Sequence, residues 1–162
     1  MRKLARTALL AGLCGGLAEM AWIAFYSSVS TTSAIEVARA VTASVFPAAG
    51  AAPWATGAGV GIHLALSLAL GLAFALALWT VSAGRPSRMR IWVSALSALA
   101  AVWAVNFLLI LPVLNSNFIP LMPYGASLLS KMLFGIALAW VLTSEYHSAR
   151  WAIGPFTTRE AA

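Results

Sequence analysis

The sequence predicts an all-α integral membrane protein: a four-transmembrane-helix bundle with one additional short helix. Three observations predict this class. Hydrophobic residues make up 62% of the chain and charged residues only 9%, which is too little charge to cover the surface of a soluble domain. Four apolar stretches are each long enough to cross a hydrocarbon core of about 30 Å. Most basic residues lie in the short segments that flank these stretches, as in polytopic membrane proteins.

The second apolar stretch shows the pattern most clearly. It contains no formal charge, and its polar side chains are His63 and Ser67. The other three stretches also contain a strongly polar side chain each. We predict a single transmembrane domain over residues 1–162, whose spans lie at about 7–26, 57–79, 91–111 and 124–143.

The first span follows a basic N-terminal segment that contains Arg2, Lys3 and Arg6. A cleaved signal peptide also begins with basic residues, but its apolar core is shorter and ends at a small-residue cleavage site. Here the apolar run continues to about Tyr26 and contains Glu19. We therefore expect an uncleaved first transmembrane helix.

The longest interruption between spans predicts a short helix at about 33–46. Ser33 and Glu36 have the spacing of a capping box. Valines recur every four residues from Val37 to Val45 and would form one apolar face, while Pro47 would end the helix. The segment is too short to cross a bilayer, so we expect an interfacial or re-entrant helix on the outer face.

A basic turn and an uncharged loop separate the remaining spans. Arg85, Arg88 and Arg90 lie in the turn before the third span, where Pro86 interrupts the helical pattern. The loop at 112–123 contains three prolines and no charged residue, and it precedes the fourth span. The chain therefore crosses the membrane in alternating directions, with short connections between the last three spans.

The basic residues also predict the orientation. If both termini lie in the cytoplasm, every one of the ten Lys and Arg residues is cytoplasmic except Arg39, which is outside, and Lys131, which is within a span. This distribution obeys the positive-inside rule. We predict a multi-pass protein of a bacterial-type inner membrane, N-in and C-in, with the lipid bilayer as its main partner. The basic residues form no long run, so nucleic acid is not an expected partner.

Each predicted span contains a strongly polar residue at a similar depth. The four are Glu19, His63, Asn106 and Lys131. Each lies about five to seven residues from the outer end of its helix, or roughly 8–10 Å below that surface. Because intramembrane ionisable groups are costly, they normally face the bundle and pair. We expect an ion pair between Glu19 and Lys131, with hydrogen bonds from the other two residues.

Two functional interpretations remain open. In the first, this polar layer near the outer leaflet, supported by Ser67 and Tyr26, handles a proton, an ion or a small polar solute. A histidine there can titrate near neutral pH, and the protein would act as a homo-oligomer. In the second, the protein is an accessory or assembly subunit of a larger respiratory or oxidase-type membrane complex. The polar layer would then only hold helices together, and the third span, with Trp103 and Phe107, would face lipid or a partner.

Motifs that carry catalysis or cofactor chemistry are absent from the sequence. Cys14 is the only cysteine, which excludes an internal disulfide and a dithiol redox pair. The chain has no phosphate-binding glycine-rich loop followed by Lys-Ser/Thr, and its potential metal ligands lack a recognisable spacing. We expect no enzymatic activity, no cofactor and no metal ion.

Overall fold

Every element of secondary structure is helical in the computed structural model, which describes residues 2–82 and 86–152, with side chains through Glu145. Within these residues, four helices are long and apolar enough to cross a membrane, which confirms the predicted class and number of spans. They are α1 (Arg2–Val29), α3 (Ala55–Val81), α4 (Arg88–Val105) with its continuation to Leu114, and α7 (Tyr124–Ala152). Arg85, Arg159 and the side chain of Arg150, which contribute to the predicted orientation, lie outside the described residues.

Shorter helices occupy the connections at one end of the bundle, where α1 ends and α3 begins. They are α2 (Ala34–Val45), a 3₁₀ turn (Pro47–Ala49), α5 (Leu111–Leu114) and α6 (Phe118–Leu121). We call this end the α2 end. The opposite end contains the first turns of α1 and α4.

The short helix α2 begins as its sequence predicts. The Ser33 side chain accepts a hydrogen bond from the Ile35 N–H at 3.3 Å, and the Glu36 carboxylate accepts one from the Ser33 N–H at 3.4 Å. Together these bonds complete a capping box. The α-helix stops before Pro47, which has no N–H to continue it.

The four long helices pack in the order α3, α1, α7, α4. Helix α1 packs against α3 on one side and α7 on the other, and α4 packs against the far side of α7. In contrast, α3 and α4 have little contact with each other. The row is therefore not closed into a ring, and a gap separates α3 from α4 over part of their length.

A seam of small residues, which we call the glycine seam, brings α1 and α3 together. Gly12 and Gly16 of α1 lie against Ser67 and Gly71 of α3. A Cβ atom at position 71 would lie 2.5 Å from the Gly12 Cα, so the two backbones touch where neither residue has a side chain. Small residues at such positions allow close helix approach in membranes. The equally spaced Gly57 and Gly61 face open space instead.

At the end opposite α2, all four long helices contribute to one packed apolar core. Its buried residues are Ala8, Ala11, Ala75, Leu78, Ile91, Ala95, Leu99, Phe134, Leu138, Ala139 and Leu142. Many of these residues are alanines, so the helices approach closely there. This core closes the gap between α3 and α4 at the end of the bundle opposite α2.

A second apolar cluster lies at the α2 end and ties the connections together. Its buried residues are Val37, Phe107, Leu111, Phe118 and Met122. Hydrogen bonds also join α2 to its neighbours. Thr42 Oγ1 donates to the Ala55 carbonyl at 2.6 Å, and Asn115 Nδ2 donates to the Ala40 carbonyl at 3.0 Å. Because Ala55 begins α3 and Asn115 follows α5, helix α2 bridges the two sides of the gap.

The glycine seam makes a testable prediction about stability. Gly71→Ala should destabilise the protein by about 1–3 kcal/mol, the usual cost of overpacking, because α1 and α3 would have to separate. Gly61→Ala is the matched control on the same helix, since the added Cβ meets no described atom within 4 Å. Unfolding by SDS titration, followed by circular dichroism, measures both variants. Equal losses of stability in Gly71→Ala and Gly61→Ala would contradict the close packing of α1 and α3 at the glycine seam.

Candidate functional site

The centre of the candidate site is an ion pair between α1 and α7. Lys131 Nζ lies 2.6 Å from Glu19 Oε1 and 2.9 Å from Glu19 Oε2, so the ammonium contacts both carboxylate oxygens. Ser130 Oγ donates a third hydrogen bond, at 3.3 Å, to Oε1. The Glu19 side chain is only 3% exposed. Its negative charge is therefore satisfied entirely by neighbouring side chains rather than by solvent.

His63 extends the pair onto α3. Its Nε2 atom lies 3.8 Å from Glu19 Oε2 and 3.3 Å from the carbonyl oxygen of Gly16. One turn along α3, Ser67 Oγ donates to the His63 carbonyl at 2.8 Å. The imidazole is thus placed by the glycine seam, because the close approach of α1 and α3 brings it to the carboxylate. We call Glu19, His63, Ser130 and Lys131 the charged cluster.

Exposure divides the charged cluster into a hidden carboxylate and two accessible basic groups. The side chain of Lys131 is 18% exposed and that of His63 is 20% exposed, against 3% for Glu19. Lys131 Nζ also lies 5.9 Å from the centre of the Phe134 ring, a distance at which a cation–π attraction acts. The two basic side chains are therefore more accessible than the carboxylate that they neighbour.

A cavity of about 600 Å³ lies next to the charged cluster, within the range of about 300–1,000 Å³ typical of ligand sites. It occupies the gap between α3 and α4, and α2 and α6 contribute to its wall. Most of the lining side chains are apolar. The polar exceptions are Glu19, Ser44, His63, Ser67, Asn106, Ser127, Ser130 and Lys131.

Asn106 lines this cavity but is not among the residues bonded to Glu19. It begins a π-helical turn, Asn106–Ile110, in which the Leu111 N–H donates to the Asn106 carbonyl. Pro112 accounts for the irregularity, because it cannot donate to the Leu108 carbonyl and its ring crowds that oxygen. Single π turns inside α-helices are frequent at functional sites.

The structure separates the two supporting residues predicted from the sequence. Ser67 lies on the cavity wall beside His63. Tyr26 instead packs against the apolar cluster at the α2 end, with its ring 6.3 Å from that of Trp22. Of the four predicted polar-layer residues, Glu19, His63 and Lys131 are brought together, and Asn106 faces the same cavity from the opposite wall.

Two aromatic residues of the third span, Trp103 and Phe107, contact other parts of the bundle. Phe107 is buried in the cluster at the α2 end, and Trp103 Nε1 donates to Ser127 Oγ at 2.9 Å. The expectation that this span faces lipid or a partner therefore concerns its other side chains, and it stays a prediction. The exposed side chains of this span near the π turn are Leu108 and Leu109.

Ser130 and the bonds that hold α7 were not among the predicted site features. Ser127 and Ser130 are three residues apart, and Phe134 follows four residues later, so one face of α7 carries all three. This spacing is the sequence pattern from which a polar side of α7 facing the bundle could have been predicted. On the neighbouring turn, Trp22 Nε1 donates to the Ala126 carbonyl at 2.9 Å, which holds α1 against α7 close to the charged cluster.

Potential metal ligands do not converge in the part of the chain that the structure describes. No group of three or more His, Cys, Asp or Glu side chains is close enough there to hold a metal ion. Glu19 and His63 are neighbours, but the single cysteine, Cys14, is exposed. The polar side chains at the cavity are hydrogen-bond donors and acceptors.

Comparisons with protein-family models, with curated proteins and with solved structures give no match to this chain. The geometry of the charged cluster and of the cavity is therefore the basis for a functional proposal.

The ion pair predicts a non-additive response to substitution. Lys131→Met should lower the free energy of unfolding by about 3–5 kcal/mol, because it leaves a buried carboxylate without its counter-charge. Adding Glu19→Gln to Lys131→Met should restore much of that loss. SDS-titration unfolding of both single variants and the double variant measures the coupling.

The matched control for this cycle is Glu36→Gln combined with Lys131→Met. Glu36 is an exposed carboxylate that caps α2, and it lies outside the charged cluster. The control pair should therefore show no recovery. Additive effects for Glu19 and Lys131 would contradict the buried ion pair.

Proposed function

We propose that this membrane protein handles a proton together with a small solute at the charged cluster. The observation that carries the proposal is the position of Lys131 and His63, which line a cavity of about 600 Å³ while they remain bonded or adjacent to the buried Glu19. Ionisable groups inside a bilayer commonly mark solute or proton pathways. We expect no catalytic step.

The accessibility of the basic groups favours this function over a purely structural ion pair. A solute site needs basic groups that a solute can reach, whereas an ion pair that only joins two helices does not. Here Glu19 is enclosed, but Lys131 and His63 retain about a fifth of their side-chain surface. That surface lies on the cavity wall, where a solute can contact it.

Histidine provides a means of coupling solute to protons. An imidazole has one ring nitrogen that can accept or release a proton. With His63 neutral, the Glu19–Lys131 pair leaves the cluster without net charge; with His63 protonated, the cluster has one net positive charge. Binding of a negatively charged or acceptor-rich solute and binding of a proton would therefore reinforce each other.

The orientation proposed for the protein follows from its basic residues. With the termini in the cytoplasm of a bacterial-type inner membrane, the α2 end faces outward and the charged cluster lies toward the outer leaflet. The apolar core at the opposite end blocks passage from the cavity to the cytoplasmic side. Transport would need a second conformation in which that core opens, and we expect a homo-oligomer to support it.

A proton-flux assay tests this function. Wild type, Glu19→Gln and the control Glu36→Gln are reconstituted into liposomes that contain a pH-sensitive dye, and a potassium diffusion potential is imposed with valinomycin. The internal pH is followed without solute and with external lactate, glycine or methylammonium. Wild type and Glu36→Gln should move protons, and Glu19→Gln should do so about tenfold more slowly or worse, the loss expected for a charge-assisted contact.

Two results would overturn the proposal. One is proton movement no faster than in empty liposomes under every condition. The other is purification of the protein in a fixed ratio with a larger foreign membrane protein, together with equal behaviour of wild type and Glu19→Gln. The second result would favour an accessory subunit whose charged cluster is structural.

A further inference from the structure

We infer that the solute is an amphipathic acid, with a carboxylate or similar anionic head and an apolar body, that reaches the cavity from the bilayer through the gap between α3 and α4. This inference rests on the proposed function and deepens it. It draws on the shape of the gap, on the closure of the cavity elsewhere and on the chemistry of the lining.

The gap is open toward the lipid side of the bundle. Four lining residues at its edges keep large exposed fractions: Leu66 on α3 (62%), Val105 on α4 (48%), Ile110 in the π turn (43%) and Val45 on α2 (51%). Residues deeper in the same cavity are buried, such as Phe134 (1%). The exposed residues therefore form the rim of a lateral opening, and the charged cluster lies behind it.

Other directions are obstructed by the described residues. Helices α1 and α7 form the back of the cavity, and the alanine-rich core closes it at the end opposite α2. At the α2 end, helix α2 crosses the gap and is bonded to both sides through Thr42 and Asn115. A molecule dissolved in the bilayer therefore has a shorter path to the cluster than one in water.

The head group is selected by charge and by donors. An ammonium has three N–H donors, and Glu19 takes two of those of Lys131; the third has no acceptor among the described residues. The titratable groups that line the cavity are Glu19, His63 and Lys131. Since the carboxylate is the hidden member, an anion meets the ammonium and the imidazole, whereas a cationic head would be repelled by Lys131.

The body of the ligand is selected by the remaining wall. Aliphatic side chains extend from the charged cluster to the rim, including Leu70, Ile62 and Leu66 on α3 and Val102 on α4. Burial of an apolar chain against them contributes about 0.8 kcal/mol per CH₂. A small, fully hydrated acid such as acetate would leave this surface uncovered.

The test is binding of radiolabelled decanoate to wild-type protein in lipid nanodiscs, with empty nanodiscs as background. Decylamine has the same chain with the opposite charge, and acetate has the head without the chain. We expect saturable binding of decanoate, at least tenfold weaker binding of acetate and no saturable binding of decylamine.

Variants at the rim test the route without touching the charged cluster. Leu66→Trp and Val105→Trp place bulk in the opening and should slow decanoate association by about tenfold. Leu72→Trp and Val93→Trp are matched controls on the same two helices, because these residues are exposed but do not line the cavity. Unchanged association in the rim variants would overturn the lateral route.

A double variant tests the head-group site without leaving an unpaired buried charge that could unfold the protein. Glu19→Gln combined with Lys131→Gln removes both charges at once, so no uncompensated charge is left buried. It should weaken decanoate binding about tenfold or more. Binding that is unaffected, or equal for decanoate and decylamine, would overturn the amphipathic-acid inference.

The experiments distinguish a failure of the proposed proton-handling function from a failure of the amphipathic-acid inference. If proton flux depends on Glu19 but decanoate does not bind, or acetate binds as well as decanoate, then only the present inference is overturned. If proton flux is absent and the double variant binds decanoate as wild type does, then both the proposed function and the inference are wrong.

Discussion

The ion pair between Glu19 and Lys131 is the interaction on which the rest of the structure depends. A carboxylate and an ammonium inside a hydrocarbon layer are each unfavourable alone, and their contact at 2.6 Å relieves both. The pair therefore holds α1 and α7 at one relative depth. It also lies between the two apolar cores, so that it separates a tightly packed half of the bundle from a half that contains a cavity.

The cavity is a consequence of which helices can approach one another. Glycines on both faces of α1 let α3 and α7 pack against it, since Gly12 meets α3 and Gly15 meets Phe134. Helix α4 is held by α7, partly through Trp103 and Ser127. With α1 and α7 in the middle of the row, α3 and α4 meet closely only where small side chains line the opposite end. The space between them at the α2 end remains as a cavity.

This arrangement places one buried carboxylate beside two more accessible basic side chains. The carboxylate of Glu19 neutralises Lys131 and is itself almost fully buried at the cavity wall, where His63 provides a second basic side chain. Around them lie aliphatic side chains rather than the polar wall of a water-filled pore. In the proposed function, a site of this kind would discriminate by the charge of the head group and by the presence of an apolar body. Those two properties are what the proposed function and the proposed ligand have in common.

The sequence by itself determined the four long apolar helices and the start of α2, although the long helices extend beyond the predicted spans. Long apolar stretches specify spanning helices because hydrocarbon satisfies no backbone hydrogen bond, and the capping box of Ser33 and Glu36 specifies the start of α2 because its bonds are local. Counting residues from the helix ends predicted a common depth for four polar side chains, and three of them, Glu19, His63 and Lys131, lie close together. Tertiary structure alone decided which faces meet. Gly12 and Gly16 have the same spacing as Gly57 and Gly61, yet only the first pair packs against a helix, because packing depends on what lies opposite. For the same reason Ser130 joins Glu19 while Tyr26 does not, and the gap between α3 and α4 follows from the order of the helices, which no single stretch of sequence specifies.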